Sequence, residues 1–227
     1  MSEAGAGVLG LLGGTFDPLH VGHLRLALEA REALGLSALC LIPAGSPPLR
    51  ALPHCAATQR LAMVECALAG LPGFSVDPGE VLAAAQSMAP SYTVATLERQ
   101  RRQHGARRPL VLLLGADAFA RLESWQRWRE LFGLAHIAVA TRPGHDIKVG
   151  AGDTALAAEF AARRGIAADL AAAPAGRIVP FAITALEISA TAIRERLARG
   201  LSVRYLVPDP VLDYIESRQL YRTPHGH

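Results

Sequence analysis

Two histidines close to the start of the chain have the residue type and the spacing to hold a phosphate. His20 and His23 stand at the end of residues 13–23, which read GGTFDPLHVGH and follow a short apolar run. The paired glycines at the start of this segment let the backbone pass close to a ligand, and residues three apart at a helix start share one face. A helix N-terminus favours an anion, and imidazoles donate hydrogen bonds to phosphate oxygens, more strongly when protonated. We therefore expect His20 and His23, with Gly22 between them, to bind a phosphate group.

Other interpretations of the two histidines stay open at this point. His20 could instead cap the helix while His23 packs on a sheet. A metal site at the two rings lacks the Cys or carboxylate partners that zinc ligation needs. The segment is neither G-x-G-x-x-G nor G-x-x-x-x-G-K-[ST], so it predicts neither a dinucleotide oxidoreductase nor a P-loop.

A second phosphate-binding pattern lies towards the other end of the chain. Residues 188–194 read ISATAIR. Ser189 is a good N-cap, and Thr191 together with the backbone N–H groups of the first turn can hold phosphate. Arg194 adds a guanidinium from the next turn. The alternative is an ordinary capped amphipathic helix with Arg194 in solvent.

Alternating strands and helices would position both segments. Apolar runs predict strands at Val8–Leu12, Leu39–Ile42, Leu110–Leu114, Ala135–Ala140 and Ile178–Phe181, and short extended pieces at Phe74–Val76 and Glu80–Leu82. Helical spacing predicts helices over Leu24–Leu34, Thr58–Ala69, Thr93–Gln103, Ala190–Arg199 and Pro210–Arg218, and a helix plus an irregular link over Ala151–Ala173. This alternation predicts an α/β fold with a doubly wound parallel sheet. Ligands of such sheets bind beyond the carboxyl ends of the strands.

Length and composition are those of one globular domain. The chain has 227 residues, of which 51% are hydrophobic and 19% charged. We expect a single domain over residues 1–227, with a tail lacking fixed structure at 1–7 and a helical closing segment at 203–222. The three cysteines are odd in number and lack C-x-x-C spacing, which favours the reducing cytoplasm.

Several partner classes are not expected. No apolar run reaches the ~18 residues that a membrane span needs, and the first residues carry no basic group of the kind that opens a secretory signal. The net charge is +3, and the arginines between Arg99 and Arg108 have no interleaved aromatic residues. We therefore expect no nucleic-acid partner, and we interpret the arginine cluster as a solvated helix end.

Both phosphate-binding segments resemble motifs of one superfamily. Residues 15–23 resemble the T/H-x-G-H signature of the nucleotidyltransferases, and residues 188–194 resemble their I-S-S-T-x-I-R motif, with Ala190 in place of the second serine. The resemblance implies a Rossmann-like nucleotidyltransferase fold that binds a nucleoside triphosphate and transfers its nucleotidyl group. The catalytic residues that it implies are His20, His23 and Arg194. The nucleotide-binding residues that it implies are Gly13, Gly14, Thr15, Phe16, Gly22, Gly115, Asp117, Ile188, Ser189 and Thr191.

Three further stretches resemble bacterial nicotinate-nucleotide adenylyltransferases, and the match runs nearly end to end. Residues 90–97 are similar to the family's P-S-Y-T-x-x-T-L segment, residues 115–125 to its G-x-D…W segment, and residues 43–50 to its P-x-x-x-P-P-H-K/R loop. Leu49 stands where the family usually has His, which puts a side-chain contact from this loop in doubt. Thr93, as a candidate N-cap, would present helix N–H groups to a carboxylate, and Trp125 offers a flat face for an aromatic ring. The substrate-binding residues that the resemblance implies are Pro48, Arg50, Tyr92, Thr93, Thr96, Trp125 and Arg142.

The activity that this resemblance implies is the joining of AMP from ATP to nicotinate mononucleotide, giving deamido-NAD and pyrophosphate in NAD biosynthesis. Such in-line transfer needs positioning and charge neutralisation more than a covalent nucleophile. A Mg²⁺ ion is expected, held mainly by the ATP phosphates and by water, so no protein metal ligand is predicted. Small-molecule substrates are the expected partners, and the sequence leaves homo-oligomers open. The alternatives are a nicotinamide mononucleotide or phosphopantetheine acceptor, or a non-catalytic nucleotide-sensing module on the same fold.

Overall fold

Six parallel strands form one sheet at the centre of the molecule. The structure is a computed structural model that describes residues 7–47, 52–87, 90–141 and 154–222. The strands are β1 (Leu9–Gly14), β2 (Ala38–Pro43), β3 (Phe74–Val76), β4 (Leu110–Gly115), β5 (His136–Thr141) and β6 (Ile178–Ala182). The expectations for Pro48, Leu49, Arg50, Arg142 and the first six residues lie outside the described residues.

The strand order is β3-β2-β1-β4-β5-β6, with every neighbouring pair parallel. The chain winds outward from β1 to β3 and then returns to the other side of β1 with β4. This confirms the predicted doubly wound α/β sheet. Connections that leave β1 and β4 in opposite directions open a crevice at their carboxyl ends, which is where ligands of such folds bind.

Helices cover both faces of the sheet. They are α1 (Val21–Ala33), α2 (Ala57–Leu68), α3 (Gly79–Gln86), α4 (Thr93–His104), α5 (Ala116–Phe119), α6 (Leu131–Leu134), α7 (Ala155–Arg163), α8 (Ala190–Ala198) and α9 (Asp209–Ser217). Leu12 belongs to the apolar core on one face, whereas Leu9 and Leu11 belong to the core on the other. Because both faces are buried, the strands are continuous apolar runs, and this is why they stand out in the sequence. None of the described helices is long and apolar enough to cross a membrane.

The structure corrects two of the local predictions. Residues Glu80–Leu82 are not extended but lie inside α3. The Asp77 carboxylate accepts the Gly79 N–H at 2.8 Å, which satisfies a free donor of the first turn, and the following alanines are strong helix formers. Thr93 is not the N-cap of α4 but its first helical residue, and Tyr92 occupies the N-cap position without a capping side-chain bond.

The arginines at the end of α4 do more than face solvent. Arg101 donates to the carbonyl oxygens of Arg108 (2.7 Å) and Pro174 (3.1 Å) and to that of Leu134. Arg99 forms an ion pair with Asp77 at 2.6 Å. These contacts join α4 to neighbouring segments, so the interpretation of this cluster as a simple solvated helix end is wrong for Arg99 and Arg101.

Candidate active site

The loop between β1 and α1 brings the two histidine rings together. His20 is the N-cap of α1, and its backbone N–H donates to Nδ1 of His23 at 3.3 Å. The two imidazoles stack with centroids 3.7 Å apart and an interplanar angle of 23°. The edge of Phe16 contacts the His23 ring at a centroid distance of 5.1 Å. Both imidazoles therefore lie side by side at the N-terminus of α1, where the helix dipole favours an anion.

Burial keeps His20 neutral in the free protein. The residue is 6% exposed, and desolvation lowers the pKa of its imidazole from 6.5 to about 4. Its Nδ1 atom is buried and has no hydrogen-bond partner within the part of the chain that the structure describes. A neutral imidazole with a free ring nitrogen can serve as donor or acceptor, depending on its tautomer.

Gly22 lies where the two predicted phosphate-binding segments approach each other. A Cβ atom at Gly22 would lie 3.1 Å from Nδ1 of His20 and 3.8 Å from Cβ of Ile188. A side chain at this position would therefore press on the His20 ring. This close approach explains the glycine and shows that residues 188–194 lie next to the histidine loop.

The N-terminus of α8 joins the histidine loop through Arg194. Ser189 is the N-cap of α8, and its Oγ accepts the Ala192 N–H at 3.2 Å. Arg194 Nη1 donates to the main-chain oxygen of Asp17 at 2.7 Å, and Nη2 donates to Thr191 Oγ1 at 3.3 Å. The two segments, distant in sequence, therefore meet in one place.

Sequence reasoning missed a buried arginine that supports the same loop. Arg60 of α2 is 1% exposed and donates to the main-chain oxygens of Thr15 (2.6 Å), Gly45 (3.1 Å) and Cys55 (3.3 Å). Within this loop Phe16 has a φ of +51°, an unfavourable value for a bulky residue. The sequence signal that could have identified Arg60 is a charged residue on the apolar side of a predicted helix.

A cavity of about 260 Å³ opens beside the histidine loop at the carboxyl ends of the central strands. Its lining includes these predicted residues: Gly13, Gly14, Thr15, Tyr92, Thr93, Thr96 and Trp125. It also includes Glu80, Ser91 and Arg121, which sequence reasoning did not single out. Gly115 at the end of β4 and Asp117 in the first turn of α5 are exposed and do not line this cavity.

Among the described residues that line the cavity, Glu80 alone carries a carboxylate, and hydroxyl groups hold it. Thr96 Oγ1 donates to Glu80 Oε1 at 2.6 Å. Burial raises the pKa of the Glu80 carboxyl, against hydrogen bonds from Thr96, Ser91 and the Gly45 N–H that lower it. The Thr96 hydroxyl proton is thus engaged within the protein, whereas the N–H groups at the start of α4 have no capping side chain and are available to a ligand.

The two tryptophans differ in environment. Trp125 is half-buried and lines the cavity. Trp128 is buried in the core and packs edge-on against Phe132, with ring centroids 6.0 Å apart. Only Trp125 is therefore placed to contact a ligand ring in the cavity.

The fold, in which the two predicted phosphate-binding segments lie together, is that of a nucleotidyltransferase, and comparison with known families agrees. The model of the family described as cytidylyltransferase-like matches residues 11–196 of the chain. This range includes both the histidine loop and Arg194.

Individual relatives define the family more narrowly. The chain is 55% identical to a protein of Dechloromonas aromatica named "Probable nicotinate-nucleotide adenylyltransferase", over 94% of this chain and 97% of that protein. It is 48% identical to a protein of the same name from Pseudomonas fluorescens, over 96% of this chain and 98% of that protein. The solved structure of Plasmodium falciparum nicotinic acid mononucleotide adenylyltransferase complexed with NaAD has the same fold, with a TM-score of 0.68 at 15% identity and coverage of 95% and 97%. The chain belongs to the cytidylyltransferase-like family and, within it, to the nicotinate-nucleotide adenylyltransferases.

Proposed function

We propose that the protein transfers AMP from ATP to nicotinate mononucleotide, giving deamido-NAD and pyrophosphate. The observation that carries the proposal is the contact of Arg194 with the main-chain oxygen of Asp17, which unites the two phosphate-binding segments beside a ligand-sized cavity. Family membership, from relatives with up to 55% identity along nearly the whole chain, supports the same activity.

The triphosphate lies, in this proposal, between the N-termini of α1 and α8. His20 and His23 donate hydrogen bonds to phosphate oxygens, and the proximity of phosphate raises the low pKa of His20 and favours its protonated form. Arg194 uses the N–H groups not engaged by Asp17 and Thr191. These groups neutralise the charge that develops on the leaving pyrophosphate.

The acceptor lies in the adjoining cavity. Its pyridine ring stacks on Trp125, and its ring carboxylate meets the N–H groups at the start of α4. The acceptor phosphate then attacks the α-phosphorus of ATP in line, and the bond to pyrophosphate breaks. Asp117, exposed in the first turn of α5, is the proposed partner of ribose hydroxyls.

Magnesium fits this site as a companion of the substrate. Within residues 7–47, 52–87, 90–141 and 154–222, no three of the His, Cys, Asp and Glu side chains come together as a metal-binding group. A Mg²⁺ ion bound to the ATP phosphates needs few protein ligands and would supply neutralisation of their charge. Free cysteines at positions 40, 55 and 66 support the proposed cytoplasmic location.

Pyrophosphate release with each mononucleotide tests the proposal. The protein is incubated with ATP, Mg²⁺ and either nicotinate or nicotinamide mononucleotide. A neutral amide would direct its NH₂ group at the N–H donors of α4, and an unpaired buried polar group costs about 1–3 kcal/mol. We expect the acid to be preferred by at least ~10-fold in kcat/KM. Equal use of the amide would refute the acceptor assignment but would leave the proposed AMP transfer intact. In that case the Glu80 carboxylate, which lines the same cavity, would be the group that accepts the amide NH₂.

A further inference from the structure

We propose that Tyr221, in the segment after α9, is a positioning residue of the triphosphate site and acts through Asp17. The inference rests on the proposed function, because it gives Tyr221 a part in ATP use. Tyr221 lies 204 residues from Asp17 in the chain, and none of the phosphate-binding motifs contains it.

Asp17 is the junction at which the parts of the site meet. The residue is 5% exposed, and its Oδ1 accepts the Tyr221 hydroxyl at 2.7 Å. Its Oδ2 accepts the His54 backbone N–H at 2.7 Å, and its main-chain oxygen accepts Arg194 at 2.7 Å. Asp17 therefore supplies one of the two contacts by which the described residues hold the Arg194 guanidinium, the other being Thr191 Oγ1.

Tyr221 is a permanent donor to this junction. Burial raises the pKa of its phenol, with smaller contributions from Cys55 and Asp17. The hydroxyl therefore stays protonated across the functional pH range. Without this hydroxyl, one oxygen of the buried Asp17 carboxylate would lose its donor. The carboxylate would then either move to another donor or remain unpaired, which is unfavourable in free energy.

A shift of Asp17 would reach both phosphate-binding segments. Arg194 would follow because it donates to the Asp17 main-chain oxygen. His20 would follow because only Pro18 and Leu19, both buried, separate it from Asp17. The preceding residue, Phe16, has a left-handed backbone that the surrounding contacts must hold in place.

The Tyr221 hydroxyl is not needed to dock the closing helix. Three buried side chains of α9, Val211, Leu212 and Ile215, hold it in the core. A Tyr221→Phe variant keeps the aromatic ring and loses only the hydrogen bond. Its effect should therefore appear in the site rather than in the packing of α9.

The experiment compares Tyr221→Phe with Tyr214→Phe. Tyr214 is a half-buried residue of α9 whose hydroxyl has no hydrogen bond to any residue that the structure describes. Because the lost bond has a charged acceptor, we expect Tyr221→Phe to lower kcat/KM for ATP by about tenfold. We expect an unchanged KM for the mononucleotide and a melting temperature no more than a few degrees below that of the control, because the buried Asp17 carboxylate loses one donor. Asp17→Asn should lower kcat/KM for ATP as well. Because the two substitutions disrupt the same hydrogen bond, the loss in the double variant should be smaller than the product of the two single losses.

A readout independent of turnover separates this inference from the proposed function. The imidazole NMR signals of His20 and His23 should shift in Tyr221→Phe, while those of His136, buried in β5, should not. Signals and ATP kinetics like those of the unmodified protein would overturn the inference. Equal losses for ATP and mononucleotide together with a lower melting temperature would also overturn it, by showing a purely structural role. Absence of AMP transfer in the unmodified protein would refute the proposed function, and the NMR signals would still decide the positioning role.

Discussion

The substitution Arg194→Lys keeps the positive charge at the proposed triphosphate site but removes the guanidinium fork. Arg194 donates through two different nitrogens, from Nη1 to the Asp17 main-chain oxygen at 2.7 Å and from Nη2 to Thr191 Oγ1 at 3.3 Å. The remaining N–H groups are left for phosphate oxygens. A lysine has one nitrogen, which cannot hold both partners and a phosphate in the same geometry.

The expected loss follows from the contacts that a lysine must abandon. If its ammonium contacts Asp17, the phosphate loses a charged donor, and if it contacts the phosphate, the loop loses its link to α8. A hydrogen bond that involves a charged group contributes about 1.5–3 kcal/mol, so either choice should lower kcat/KM for ATP by roughly 10- to 100-fold.

Arg196→Lys is the matched control for this prediction. Arg196 lies two residues further along α8, and it also donates to a main-chain oxygen, that of Ser202, at 3.1 Å from Nε and 2.9 Å from Nη2. Its contacts are exposed, so an effect of less than about twofold is expected. Pyrophosphate release is measured at varied ATP and saturating nicotinate mononucleotide, with melting temperatures alongside. If Arg194→Lys stayed within twofold of the unmodified protein, the assignment of Arg194 to the triphosphate would be wrong.

Three further outcomes are expected. Between pH 6.5 and about 4 the unfolded chain binds a proton at His20 that the folded protein does not. The free energy of unfolding should therefore fall as the pH drops, by up to about 3 kcal/mol. In urea titrations, a His20→Asn variant should show a weaker dependence of this free energy on pH. Trp125→Ala should weaken both mononucleotides alike, by about 1–3 kcal/mol in binding titrations, because stacking does not distinguish acid from amide; a change in their ratio would contradict this. Glu80→Gln should lower KM for nicotinate mononucleotide severalfold, because it removes a negative charge from the cavity that receives the ring carboxylate, and should leave KM for ATP unchanged; a matching change in KM for ATP would contradict its place in the acceptor cavity.

The sheet could be predicted because its physical cause is local. A strand covered on both faces must be apolar at consecutive positions, and runs such as Leu110–Leu114 satisfy this without reference to the rest of the chain. The polar segments that follow β1 and β6 then lie at the ligand-binding edge of any parallel sheet. The preference of βαβ units for right-handed connections fixes the face that each helix covers but leaves the strand order open, and that order comes from the structure.

Short elements near the cavity were harder to predict. The segment around Glu80 is too short for its apolar spacing to distinguish a strand from a helix, and the capping contact of Asp77 decided the outcome. At Thr93 the residue type suited an N-cap, but the helix starts one residue earlier in the chain than that role requires. Such boundaries depend on tertiary contacts, here the hydrogen bonds between Ser46 and Ser91 that fix the approach to α4.

The contacts that assemble the proposed triphosphate site could not be predicted from the sequence, because most of them end on main-chain oxygens. Arg194 donates to that of Asp17, and Arg60 donates to that of Thr15. Every residue type offers such an oxygen, so nothing in the identity of the contacted residue reveals the partner. The two arginines hold the loop on either side of Phe16, whose left-handed backbone would otherwise relax. The motif residues therefore indicate the chemistry, whereas their geometry depends on Arg60, Arg194 and Tyr221. No sequence pattern links these three residues to the positions that they contact.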